Sequence, residues 1–261
     1  MSQVVASIGK GIRVVQVSTR RCLSECVDGQ ANVFINLGDS NMVGSGSVLS
    51  GSTPVWDKDI GDFVTSGELA RGSEQVTGPL LVSPCSSVSN YFLKIAGGGE
   101  ELERNFKPGR NRYIQLNTEL PLLIAKLQAD GFTSIVVRGI IFNIGTNDAV
   151  NQMYTDAFEQ NLRDTIAGIR TDLSIPSLEF LLTDMPSTLD QDAARAPRVE
   201  QIRTALATVA NDTPGVFLQS TEGWESGRMI DPEGDPVHYN LAGQTSQGQA
   251  YARFYTHAAA E

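Results

Sequence analysis

The chain reads as an α/β protein in which five strand-like runs alternate with helix-like ones, and three of the strand runs stop abruptly in short polar or glycine-rich turns. The runs at 33–37, 91–96, 134–142, 178–182 and 215–219 are dominated by β-branched, aromatic and leucine side chains. Between them lie stretches whose apolar residues recur three or four apart, the spacing of helices that bury one face against a sheet. Alternation of this kind with short connections predicts a mainly parallel five-stranded sheet covered on both faces, a three-layer α/β/α sandwich. Ligands of such sheets bind outside the carboxyl ends of the strands, so the turns that end them are where chemistry is sought.

The first strand, Val33-Phe34-Ile35-Asn36-Leu37, runs straight into Gly38-Asp39-Ser40-Asn41-Met42-Val43-Gly44, a turn-forming block that sets a serine at the strand's carboxyl edge. The second ends in Gly97-Gly98-Gly99, where the backbone can turn tightly or approach a ligand, ahead of the helix-like Glu100-Glu101-Leu102. The third ends in Asn143-Ile144-Gly145-Thr146-Asn147-Asp148-Ala149. Leu116, Leu120, Leu123 and Leu127 mark a helix that Pro121 either kinks or begins. Phe158, Leu162, Ile166, Ile169 and Leu173 mark another, and Val199, Ile202, Leu206 and Val209 a third, with Pro197 suited to its first turn. A last helix is expected over 249–255. The glycine- and serine-rich stretch from Gly44 to Gly78, which holds Trp56, reads as a long loop on the functional side.

At 261 residues the chain suits one large α/β domain over 31–261, preceded by an extension over 1–30 whose two short β-like runs flank Gly9-Lys10-Gly11 and pack at the sheet edge. That Gly-Lys-Gly lacks the frame of a phosphate loop. Twenty basic against thirty acidic residues give a net charge of −10, which disfavours nucleic acid and anionic membrane surfaces as partners. Cys22, Cys26 and Cys85 are too few for a disulfide framework, and the C-x3-C pair has no second pair or nearby histidine to make a zinc site. Neither a metal nor another cofactor is expected. No export signal is visible and no run approaches eighteen apolar residues, so a soluble chain is expected, cytoplasmic or secreted after loss of a leader.

Two hundred residues after the serine comes Asp235-Pro236-Val237-His238. A carboxylate three residues before a histidine can accept the imidazole Nδ1–H, which fixes the tautomer and leaves Nε2 free as a base for a serine. Of the two histidines, His257 lies four residues from the end and reads as a helix-end residue. Asp231 or Glu233 could replace Asp235 as the orienting group. The same three acids do not keep the register of a calcium loop. No G-x-S-x-G is present, which argues against the nucleophile elbow of the α/β-hydrolases.

The blocks Gly38 to Gly44, Gly97 to Gly99, Gly145 to Asp148 and Asp235 to His238 occur in the order of the four blocks of the SGNH, or GDSL-type, hydrolases. The chain resembles most the branch of sialate O-acetylesterases and acetylxylan esterases, through Ser40-Asn41-Met42, Lys94-Ile95-Ala96 and Phe106-Lys107-Pro108-Gly109. Asp39 stands where that branch has glutamine, and Asn147 where a neighbouring glutamine supplies the amide. The resemblance implies a flavodoxin-like sheet and a serine esterase with Ser40 as nucleophile, His238 as base and Asp235 as its orienter. It implies an oxyanion hole made by the Ser40 and Gly99 N–H groups and the Asn147 amide. Asp39, Asn41, Gly98 and Phe106 are expected to border the substrate, a small acyl ester or an acetylated carbohydrate. A carbohydrate-binding module without turnover, or a lipase or thioesterase of the same fold, is the alternative.

Overall fold

Gly38 is the point at which three segments of the sheet meet. The computed structural model describes residues 4–7, 13–16, 28–44, 51–66, 70, 72–81, 88–224 and 237–257. Its strands are β1 (Val4–Ser7), β2 (Arg13–Gln16), β3 (Gln30–Gly38), β4 (Val55–Asp57), β5 (Asp62–Val64), β6 (Ser89–Ala96), β7 (Ser134–Asn143), β8 (Phe180–Thr183) and β9 (Val216–Gln219). The five expected from sequence are β3, β6, β7, β8 and β9. They pair in parallel in the order β6-β3-β7-β8-β9, the flavodoxin-like arrangement.

The sheet is wider than the five strands predict. β1 and β2 form an antiparallel hairpin, and β2 joins the amino end of the interior strand β7 in parallel through Val14 and Ile135. At the β6 edge, β4 pairs with β6 and antiparallel with β5, so the segment read as a long loop contains two short strands and the helix α2 (Glu74–Leu80). The reason is local. Val55-Trp56 and Phe63-Val64 are short β-favouring runs separated by a turn ending at Gly61, and Trp56 packs edge-on against Phe63 at 5.6 Å between centroids.

Alternation along the strands builds the two outer layers. On one face Val33, Ile35 and Leu37 join Leu93, Ile95, Ile140 and Phe142 in a core closed by α3 (Asn111–Ala129), α4 (Gln152–Asp172) and α5 (Ala196–Asp212). On the other, Phe34, Phe92, Ile141 and Leu181 pack with Tyr251, Ala252 and Tyr255 of α6 (Leu241–His257). Pro121 sits inside α3 instead of starting it, and Pro197 occupies the first turn of α5. The Glu100-Glu101-Leu102 stretch leads into a single π-helical turn at Leu102–Phe106.

The strand ends are held close together. Asp39 N–H donates to the carbonyl of Asn143 at 3.0 Å, and Gly97 N–H to that of Gly38 at 3.2 Å. A Cβ on residue 38, whose φ is +154°, would stand 2.1 Å from the Asn143 oxygen, so only glycine permits this approach. One residue thereby sets the serine turn beside both the triple-glycine loop and the 143–149 loop, at the point where strand order reverses.

Candidate active site

The serine is carried on a short helix that the sequence itself stops. Asp39 caps α1 (Ser40–Val43), its carboxylate accepting the Asn41 N–H at 3.0 Å, and Gly44 ends it in a left-handed conformation with φ +88°. At its first position the Ser40 N–H has no intrahelical acceptor. The hydroxyl is largely enclosed, with the residue 5 % exposed. Opposite it, His238 Nε2 lies 2.8 Å from Ser40 Oγ, within the reach a general base needs.

A cavity of about 450 Å³ opens over this pair, lined by Ser40, Gly98, Gly99, Thr146, Asn147, Arg195, Val237 and His238. Asn147 Nδ2 donates to the Glu100 carbonyl at 3.1 Å, a bond that fixes the amide and leaves its second hydrogen for the cavity. Asp148 holds the same two loops together from below, both its oxygens accepting Leu102 N–H at 3.1 Å. Gly99 takes the left-handed region at φ +74°. Desolvation pushes the Asp148 carboxyl up to about 7, with the Asp39 charge adding to it, and pushes that of fully buried Asp39 up to about 6, against the Asn41 N–H bond.

Of the residues expected at the substrate, Gly98 lines the cavity and the other three do not. Asn41 is fully buried, its carboxamide spent on the backbone around His238: Nδ2 donates to the Val237 carbonyl at 2.9 Å and Oδ1 accepts Tyr239 N–H at 3.0 Å. Asp39 lies beneath the serine turn as its cap. Phe106 is a core residue 5.2 Å from Phe142, since the π-helical turn directs it inward. These three expectations are therefore corrected. Asp235, with Asp231 and Glu233, lies outside the described residues, as do Cys22, Cys26 and Cys85. Thr146, Val237 and Arg195 line the cavity without having been singled out in sequence. Thr146 and Val237 lie within quoted blocks, whereas Arg195 carries no local signal. Among the described residues no cluster of three metal-ligating side chains occurs, and no helix is long and apolar enough to cross a membrane.

A serine held against a histidine at the switch point of a flavodoxin-like sheet defines a hydrolase of the SGNH type. Residues 86–257 match the model of the carbohydrate esterase family described as sialic acid-specific acetylesterase, and the chain belongs to that family. It is a carboxylic ester hydrolase. The match begins after Ser40 and takes in His238. No curated protein sequence matches the chain. Among solved structures it is similar to a protein from Arabidopsis thaliana, with TM-score 0.67 at 15% identity over 86% of this chain and 97% of that one. It is similar also to NanS, with TM-score 0.65 at 9% identity over 89% and 98%. An acetylxylan esterase from Geobacillus stearothermophilus gives 0.53 at 17% identity over 88% and 95%. At these identities the likeness is one of fold.

Proposed function

We propose that the protein removes short acyl groups, acetyl first among them, from a carbohydrate hydroxyl through an acyl-enzyme on Ser40. The observation that carries this reading is the 2.8 Å contact between Ser40 Oγ and His238 Nε2 at the floor of the cavity. His238 takes the hydroxyl proton as Oγ bonds to the acyl carbon, and the negative charge gathers on the former carbonyl oxygen. The Ser40 and Gly99 N–H groups and the free Asn147 amide hydrogen are the donors for that charge. Collapse expels the sugar oxygen, which leaves with the proton from His238. Water, deprotonated by His238, then attacks the acyl carbon, and release of the carboxylic acid restores Ser40. Asp235 is the proposed orienter of the imidazole.

The family description supports an acetylated sugar over a lipid ester. The test is a pair of measurements: acetate release from acetylated saccharides, and labelling by a serine-directed organophosphonate. Wild type should release acetate and be labelled on Ser40 alone, and Ser40→Ala should lose both. Full turnover by Ser40→Ala overturns the reading.

A further inference from the structure

The loop that follows β6 is pinned at its two ends and open in its middle. Gly97 N–H donates to the Gly38 carbonyl at 3.2 Å and Leu102 N–H to both oxygens of Asp148 at 3.1 Å, while Gly98 and Gly99 have open space where a Cβ would stand. Buried Glu100 anchors the stretch between them. Its Oε1 is gripped by the guanidinium of Arg112, in the first turn of α3, with Nε donating at 2.7 Å and Nη2 standing 2.6 Å away. Arg112 is held in turn, its Nη1 donating to Gln115 Oε1 at 2.8 Å and Gln115 Nε2 to Glu119 Oε1 at 2.6 Å. A Cβ on Gly97 would stand 2.5 Å from Glu100 Oε1 and 2.6 Å from Arg112 Nη2, so the ion pair lies directly over the glycine turn, in space that a side chain at 97 would fill. Glu100 also reaches the neighbouring loop through its backbone, the carbonyl accepting Asn147 Nδ2 at 3.1 Å.

Glu100 therefore meets both of the proposed oxyanion donors that lie outside the serine turn: it follows Gly99 in the chain and fixes the Asn147 amide. Donors aimed at a developing charge are effective only where their positions are set beforehand, and charge-assisted bonds from a guanidinium hold a carboxylate oxygen more firmly than neutral ones. We propose that Glu100 and Arg112 are positioning residues whose ion pair sets the Gly99 N–H and the Asn147 amide at the spacing the oxyanion requires. The inference rests on the esterase reading for what those donors do. Neither side chain is among those lining the cavity, so the pair acts through the donors and its effect belongs to the transition state instead of to substrate binding.

The experiment measures turnover of p-nitrophenyl acetate and inhibition by an alkylboronic acid, which adds to Ser40 and presents a tetrahedral oxygen to the same donors. Active sites are counted by organophosphonate labelling carried to completion. Arg112→Ala should lower kcat per labelled site by about ten- to a hundredfold and weaken the boronate by a similar factor, with KM within about twofold of wild type. Gly97→Ala, which displaces the pair without removing either partner, should do the same, and the double variant should be no worse than the poorer single one. Glu100→Gln, whose carboxamide oxygen can still accept from Arg112, should keep most of the activity that Glu100→Ala loses. Arg112→Lys, which keeps the charge but not the two-point grip, should fall between wild type and Arg112→Ala, and it decides the matter if Arg112→Ala does not fold. A merely structural pair would lower the melting temperature and the number of labelled sites while leaving kcat per site and the boronate unchanged; that result overturns the proposal, as does a loss carried by KM. Should wild type turn over no ester, the esterase reading falls, and the NMR signals of the Asn147 side-chain amide decide the positioning by themselves: a shift with faster hydrogen exchange in Arg112→Ala supports it, and unchanged signals overturn it.

Discussion

Asn41 holds His238 through the backbone on either side of it, bonding the Val237 carbonyl at 2.9 Å and the Tyr239 N–H at 3.0 Å. Because Asn41 follows Ser40 directly, the proposed nucleophile and the segment carrying its proposed base share one connection. Gln244 of α6 adds to it by donating to the Asn41 carbonyl at 2.9 Å. Asn41→Ala should lower kcat by about a hundredfold, the cost of displacing a reacting group by about an ångström, with a smaller change in KM. Asn41→Asp should be no better, since its second carboxylate oxygen would face the Val237 carbonyl. Steady-state kinetics with p-nitrophenyl acetate, beside thermal melts that establish folding, check this.

The proposed oxyanion donors can be told apart. Asn147→Ala should cost about 10²–10³ in kcat, the usual loss for one such donor. Gly98 and Gly99 both have open space where a Cβ would go, but only Gly99 has the left-handed φ, at +74°. Gly99→Ala should therefore destabilise the fold by about 1–2 kcal/mol, and Gly98→Ala by much less, as urea denaturation would show.

The sequence made the serine turn, the two loops beside it and the histidine legible because each interrupts a strand or helix pattern with residues that such patterns exclude. It could not show which polar side chains face the cavity. Asn41 looks like a substrate contact in a linear reading, yet its partners lie 196 and 198 residues away. Phe106 was misread because a π-helical turn has no sequence period to betray it, and the turn sends the ring into the core. Arg195 was invisible because a single arginine before a helix is ordinary. The strands β4 and β5 were lost in a segment whose glycine and serine content outweighed two three-residue β runs.

Asp39 makes stability depend on pH in an unusual direction. Unfolded, its carboxyl loses its proton near 3.8, whereas in the folded chain it keeps it to about 6. Between those values the unfolded state binds fewer protons, so stability falls as pH rises through the window and the contribution is gone above it. Asp39→Asn does not titrate. Its stability relative to wild type should rise across that interval by about 3 kcal/mol and then level off, which urea melts at a series of pH values would read.

Lys94 and Glu74 form an ion pair with side chains 3% and 0% exposed, 3.0 Å apart, and Lys94 Nζ also donates to the Val43 carbonyl at the end of α1. Glu74→Gln or Lys94→Ala alone should destabilise by about 3–5 kcal/mol, because each strands a buried charge. Lys94→Met combined with Glu74→Leu should cost much less than the sum of the single changes. A double-mutant cycle in denaturant measures the difference.

Acyl length gives a further check. Burying each additional methylene against an apolar wall would gain about 0.8 kcal/mol, but among the described residues Val237 is the sole aliphatic side chain lining the cavity. Catalytic efficiency should be greatest on acetyl and fall from butyryl to octanoyl p-nitrophenyl esters. A steady climb with length would replace the acetylesterase reading by a lipid or thioester one.

The separation of 198 positions between Ser40 and His238 also bears on when the enzyme becomes competent. Every described strand of the sheet precedes His238 in the chain, so the described sheet can be complete while the proposed base is still missing. Docking of α6, through Gln244 on Asn41 and through the Gly248 carbonyl, which accepts the Thr77 hydroxyl at 3.1 Å, brings the last component to the first. Contacts of such long range form late because their loop-closure entropy is offset only once the intervening structure exists. On the proposed mechanism, Ser40 is therefore made before the residue that would activate it, and activity waits for the segment carrying His238 to dock.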